Sequence, residues 1–428
     1  MKNKRSDAWA ASSEGAWDPQ FPPEECQPGF NRYLAHVVAK TWADRDTAPV
    51  PDRDSVSVSE PPPAPTTPAQ VPPGAPLPAR KHIRAWMAPV SAQRTGLAVA
   101  LLVLDWAIFL ALICAVVLLT PWWAKALAGT VAGFVIGRLF IIGHDACHQS
   151  YTPHRGLNRW LGRIAFLPSL TPYSLWEVGH NVVHHGYTNL KGKDFVWAPY
   201  TQAEFASLSP SRRLLERIYR SGWAPGLYYF IEMWWLKMFF PSRTHMPSRR
   251  PIFFADSALA LAAAIVWISA LVGAAHATQQ SAWALVGWGF VLPFVFWNFM
   301  IGFVVYAHHT HTAVVWHEDK SAWGAADPFV STTVHLKFPL KIGALMHHIM
   351  EHTAHHVDMS VPLYGLKKAQ AILEHALPGR IVIQQFSWRW YFDTARRCKL
   401  YDIAAQHWTD FKGRPTGQTT LGRLATSG

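Results

Sequence analysis

Four apolar segments constrain the fold of this chain more than any other feature: Leu97 to Thr120, Ala124 to Gly143, Ala258 to Ala275 and Ala282 to Ala307. At about 1.5 Å of helix per residue, each crosses or nearly crosses a hydrocarbon core roughly 30 Å thick. A soluble fold accounts for one such buried helix, not four. Trp122, Trp123 and Trp283 also stand at segment edges, where an indole favours the membrane interface. Half of the 428 residues are hydrophobic and 15 % are charged, the balance of a membrane protein. The expected fold class is an all-α integral membrane protein, with two transmembrane helical hairpins (four spans) under a helical cap.

Charge sets the expected orientation. The links Pro121 to Trp123 and His276 to Ser281 carry no Lys, Arg, Asp or Glu, whereas Arg212, Arg213, Arg217, Arg220, Arg243, Arg249 and Arg250 lie between the hairpins. By the positive-inside rule the central segment, the cap and both termini are cytoplasmic. Cys26, Cys114, Cys147 and Cys398 form no CxxC pair, which agrees with a reducing compartment. The segment Gly222 to Phe240, with Tyr228, Tyr229, Trp234 and Trp235, is too interrupted to span and is expected to lie in the interface. Residues 1–80 read as a disordered Pro-rich tail; no apolar run follows the basic start, so no signal peptide is expected there. Residues 81–400 form the membrane domain and 401–428 a C-terminal tail.

The histidines are far from randomly placed. Of 22, fifteen fall in four windows: 144 to 148, 180 to 185, 308 to 317 and 335 to 356. One turn of helix separates His144 from His148 and His180 from His184, with His185 one step round; His352, His355 and His356 stand at i, i+3 and i+4. A lone histidine at a helix end is usually structural, but three clusters at one-turn spacing are a metal-site pattern. With paired spans, all of them emerge on one face of the membrane. Eight imidazoles exceed the needs of one zinc and point to two metal ions.

Imidazole suits zinc, copper, iron and nickel alike, so the ligands alone leave the metal open. Among them, iron is the metal whose redox cycle would use such a two-metal centre on O2. A carboxylate di-iron bundle needs two Glu-x-x-His pairs, and only Glu177 with His180 fits. HDACH at 144–148 is one methylene short of a zinc-protease HExxH, which would also leave two clusters unexplained. A metal transporter or sensor would want ionisable groups at mid-membrane, where Asp105 and Arg138 read as isolated.

The order HxxxH, HxxxHH, HxxHH around two apolar hairpins resembles the membrane fatty acid desaturase and hydroxylase superfamily, most closely the acyl-lipid delta-12 (omega-6) desaturases. The likeness runs from His144 to Tyr364 and includes HDACHQS with Asn158, then Thr188, Asn189, Asp194, Trp197 and Pro199, and Pro362 with Tyr364. It implies a non-haem di-iron centre, O2 as co-substrate and desaturation of a fatty acyl chain, most closely at delta-12 of oleoyl lipid; a fatty acid or alkane hydroxylase is the alternative. It further implies that His309, His311 and His347 join the box residues as metal ligands. The second box departs from the usual delta-12 pattern by having three residues between His180 and His184, a spacing also found in alkane-hydroxylase relatives.

Other expectations follow. Asp145, Asp194 and Asp358, with Asn189, are expected to orient ligand imidazoles from behind. Trp297, Asn298 and Tyr306 are expected to line the acyl tunnel. No cytochrome b5 His-Pro-Gly-Gly motif and no flavin-type GxGxxG occurs, so an external reductant is required, and a net charge of +12 favours an acidic ferredoxin-like donor. The expected partners are thus a fatty acyl lipid, the membrane and that donor, with no nucleic acid; the expected location is a bacterial inner membrane.

Overall fold

The computed structural model describes residues 68–417 apart from 73, 241–245, 247 and 249. Most of the N-terminal tail, the last eleven residues, Arg243 and Arg249 therefore lie outside the described residues. Among the described residues four helices are long and apolar enough to cross a membrane: Thr95–Leu118, Trp122–Cys147, Pro251–Ala277 and Ala282–His309. They contain almost all of the four apolar segments. The third starts earlier than hydropathy indicated, because Pro251 opens the helix where its missing N–H costs nothing.

The second and fourth spans form the inner pair, with 67 % and 50 % of their most apolar windows buried against 22 % and 17 % for the first and third. Glycine explains this. Gly129, Gly133 and Gly137 recur every four residues on the second span, and a Cβ at the first two would sit 2.3 Å from the Trp288 carbonyl oxygen and 2.7 Å from that of Pro293. Such a stripe lets two helix backbones meet where the hydrophobic effect supplies no drive between them. On the outer helices Leu104, Leu110, Ile265 and Val266 are exposed, as lipid-facing side chains should be. At the end far from the histidines, Lys125 Nζ donates to the Val116 carbonyl and to Gln280 Oε1 at 2.7 Å, satisfying a helix-end carbonyl.

Asp105 and Arg138 are not isolated. Arg138 Nε and Nη2 donate to Asp105 Oδ1 at 3.0 and 2.7 Å, and Arg138 also reaches the Leu345 carbonyl. His347 Nε2 lies 2.7 Å from Asp105 Oδ2. One buried carboxylate thus joins two spans to the loop that leads into the third histidine box. Sequence separation of more than two hundred residues hid that partnership.

The cap is mainly helical. Arg155–Phe166 is tied to the third span by Arg163, whose guanidinium pairs with Asp256 at 2.7 Å. Two short ribbons complete it: parallel β1 (Val334–Lys337) and β2 (Val382–Gln385), and antiparallel β3 (Leu400–Asp402) and β4 (His407–Thr409). The β3–β4 hairpin corrects the C-terminal tail, since Tyr401 and Trp408 are buried with Trp316 and Cys398 in a separate apolar cluster. The tail boundary at residue 80 moves as well: the Val71 N–H donates to the Ala376 carbonyl at 2.8 Å, and Val71 and Leu77 pack on the core.

The segment 222–240 does not span. It forms Pro225–Tyr228 followed by a widened π-helix, Tyr229–Phe239, with Tyr229, Met233, Trp234 and Met238 buried while Trp235 and Leu236 are exposed. Gly226 and Gly302 permit the contact with the fourth span: a Cβ on Gly302 would lie 2.3 Å from the Pro225 carbonyl oxygen.

Candidate metal centre

The first box sits where the second span ends. His144 occupies its last turn and His148 caps it, and their Nε2 atoms approach to 3.2 Å as i, i+4 spacing requires. The second box corrects the expected pairing. Gly179–His184 is a π-helix, whose i to i+5 bonding absorbs one residue more per turn than an α-helix would. It therefore brings His180 and His185 together, Nε2 to Nε2 at 3.1 Å, and turns His184 the other way. The extra residue between His180 and His184 is taken up in the backbone without displacing the ligands. In the third box, His352 and His356 share one side at 3.1 Å while His355 faces the other.

Two groups result. His144, His148, His180, His185 and His355 present one ring nitrogen each within 4.8 Å of one another, and so do His184, His309, His352 and His356. Neighbouring Nε2 atoms within these groups stand 2.8 to 3.2 Å apart: His144 to His180 at 2.8 Å, His185 to His355 at 3.1 Å, His309 to His352 at 3.0 Å. Metal–nitrogen bonds of about 2.0–2.1 Å put adjacent ligand atoms roughly 3 Å apart, so the spacing suits nitrogens aimed at a common ion. Burial, and after it the neighbouring imidazoles, holds His148, His180, His185, His352, His355 and His356 well below the ordinary histidine range. These rings are neutral, which keeps a lone pair for a metal. The histidine clusters are thus capable of holding metal ions.

Two rings are held from behind. Asp194 accepts from His184 Nδ1 at 3.1 Å and is itself fixed by the N–H groups of Asn189 and Val196, each at 3.0 Å. Nδ1 then carries the proton and Nε2 faces the cluster. Asn189 acts through Asp194, with its side chain donating to the Val315 carbonyl. Thr188 Oγ1 lies 3.3 Å from His356 Nδ1, a contact the sequence reading missed. Asp145 stands 3.6 Å from His144 Nδ1, beyond a hydrogen bond, and accepts from the Leu363 N–H.

Four expectations are corrected. His311 lies outside both groups, and its Nδ1 accepts from the Ala313 N–H at 3.0 Å. His347 is turned to Asp105 instead of the clusters. Asp358 pairs with Arg84 at 3.0 Å and caps Ser360, touching no box imidazole among its described contacts. A cavity opens onto both groups, but Ile301, Val304 and Val305 line it from the fourth span, together with Phe140, Trp176 and Tyr229. Trp297 lies behind that wall against Phe140 and Tyr229, Tyr306 packs between Trp197 and Tyr391, and Asn298 donates to the Phe294 carbonyl of its own helix. The helical phase, which hydropathy leaves undefined on an all-apolar helix, decided which side chains face inward.

His308 was also missed. It lines the cavity, stacks on His352 with ring centroids 4.0 Å apart, and leaves Nε2 buried without a hydrogen bond. Nothing in the spacing of adjacent His308 and His309 distinguishes the two roles.

With this geometry established, comparison with known proteins is decisive: the model of the fatty acid desaturase family matches residues 120–388. The chain belongs to this family. The desaturase is 27 % identical over 299 residues to a protein named sn-1 oleoyl-lipid 12-desaturase from Picosynechococcus sp., covering 68 % of this chain and 81 % of that one. It is 25 % identical to a protein of the same name from Synechocystis sp., covering 66 % and 77 %. A chloroplastic omega-6 fatty acid desaturase from Spinacia oleracea is 28 % identical over 66 % of this chain and 60 % of its own length, so the desaturase spans less than two thirds of that relative. An oxidoreductase of fatty acyl chains, built as four membrane helices under a histidine-bearing cap, follows from the family and the fold together.

Proposed function

We propose that this desaturase places a cis double bond at delta-12 of an oleoyl lipid, using O2 at two irons held by the five-histidine and four-histidine groups. The observation that carries the reading is that both groups open into one largely apolar cavity lined by the second and fourth spans and by the cap. The donor set is compatible with iron: nine imidazoles with no thiolate leave room at two ions for a co-substrate. When bound, iron supplies the one-electron redox chemistry that activates O2 and breaks an unactivated C–H bond.

The chain's own residues do the rest. Phe140, Ile141, Ile301, Val304 and Val305 offer the acyl methylenes an apolar wall that excludes water and fixes which carbons reach the histidines. Asp194 and Thr188 hold His184 and His356 in orientation. Two hydrogens leave the chain, and O2 becomes two waters with two electrons and two protons from outside, so a separate donor is required. The charge asymmetry of the links supports a cytoplasmic cap and cytoplasmic termini.

Expression in a host rich in monounsaturated lipid, followed by mass spectrometry of fatty acid derivatives, tests the proposal. Linoleoyl chains are expected. A double bond at another position would overturn the regiochemistry, and a hydroxylated chain would overturn desaturation.

A further inference from the structure

The helix Arg80–Met87 precedes the first span and packs beside the third-box helix. Ile83 and Met87 bury one face, and Arg80 with Arg84 at i and i+4 occupy another, next to exposed Lys81. Arg80 Nη2 donates to the carbonyl of His356 at 2.7 Å, and its Nε to that of Val357 at 3.0 Å. Capping a helix C-terminus accounts for that guanidinium by itself. It does not account for the remaining charge. Lys367 and Lys368 are exposed on the adjoining helix Leu363–Ala376, and neither residues 79–94 nor 359–373 contain an Asp or Glu. Among the described residues here, Asp358 is buried and already paired with Arg84, and Glu374, further along the same helix as Lys367 and Lys368, is taken up by His335 and Lys337.

We propose that this basic face is the docking surface for the electron donor, an acidic one-electron carrier protein, and that Arg80 marks the entry point to His356. The proposal rests on the desaturase reading, which requires such a donor. Uncompensated cations attract an acidic partner and orient it during encounter. From the Arg80 guanidinium a single hydrogen bond reaches a residue whose ring belongs to the four-histidine group. Each double bond consumes two electrons, so two donor molecules are oxidised by one electron each while O2, two protons and the two substrate hydrogens become two waters.

The test uses the full chain, iron-loaded, in nanodiscs of zwitterionic lipid, with an acidic [2Fe–2S] ferredoxin as probe. Lys81→Glu, Lys367→Glu and Lys368→Glu are combined in one variant. Ferredoxin binding, measured by titration of the oxidised form, and the second-order rate of reduced ferredoxin oxidation should each fall about tenfold or more and lose most of their salt dependence. Turnover driven by dithionite with methyl viologen should be unchanged, which excludes misfolding. Unchanged ferredoxin binding and rate in the variant would overturn the docking surface alone. Charge reversal that weakens binding to phosphatidylglycerol vesicles but leaves ferredoxin transfer intact would assign the face to the membrane and likewise overturn it. Absence of turnover with dithionite in the wild-type protein would overturn the underlying redox reading instead.

Discussion

Replacing Asp105 by Ala should destabilise the protein and loosen the third histidine box at once. Asp105 is fully buried and accepts three hydrogen bonds, two from Arg138 and one from His347. Removing one partner of a buried ion pair costs about 3–5 kcal/mol, because the other charge is left uncompensated. The Arg138 side chain keeps 14 % exposure and a contact with the Leu345 carbonyl, so the lower end, about 3 kcal/mol, is expected. Arg138→Met leaves Asp105 bonded to His347 and should cost about 2 kcal/mol; the double variant should cost little more than the larger single change, a coupling of about 2 kcal/mol. Reversible unfolding in mixed micelles measures all three. Because His347 is five residues before His352, Asp105→Ala should also lower metal retention, whereas Asp105→Asn, which can still accept from His347, should retain more. Single costs below about 1 kcal/mol, or strictly additive ones, would refute the argument.

Asp194→Ala should weaken metal binding about 10- to 100-fold by freeing His184 Nδ1, read by competition with a chelator; unchanged affinity would contradict the role of Asp194. His311→Ala should leave metal content intact, in contrast to His148→Ala or His355→Ala, a comparison that elemental analysis makes directly. Burial pushes the Glu374 carboxyl up, but hydrogen bonds from His335 and Lys337 outweigh it and bring it to about 2, against an ordinary 4.5. Its stabilisation is present above 4.5 and is lost as pH falls towards 2, so Glu374→Gln should cost about 1 kcal/mol at pH 6, after allowance for solvent screening, and less at pH 3. An equal cost at both values would sink that assignment.

The membrane spans and the eight box histidines were legible because both rest on local patterns, apolar length and one-turn spacing. The pairing of the second box was not, since a π-helix looks like an α-helix at the level of residue type, and only backbone bonding shows that His185 rather than His184 joins His180. Long-range partnerships were also hidden: Asp105 with His347, and the packing of Tyr401 and Trp408 with Trp316, depend on tertiary contact, not on neighbouring residues. On the fourth span the apolar sequence has no polar face to reveal which side meets the cavity, so Ile301, Val304 and Val305 were passed over for Trp297, Asn298 and Tyr306.

The central claim, that nine histidines form two metal positions, is tested most directly by counting iron in protein purified in mild detergent and in its His355→Ala and His352→Ala variants. Two iron atoms per wild-type chain are expected, with each variant losing iron from the group its histidine serves. A single stoichiometric zinc with no iron, or equal iron in all three proteins, would contradict the account.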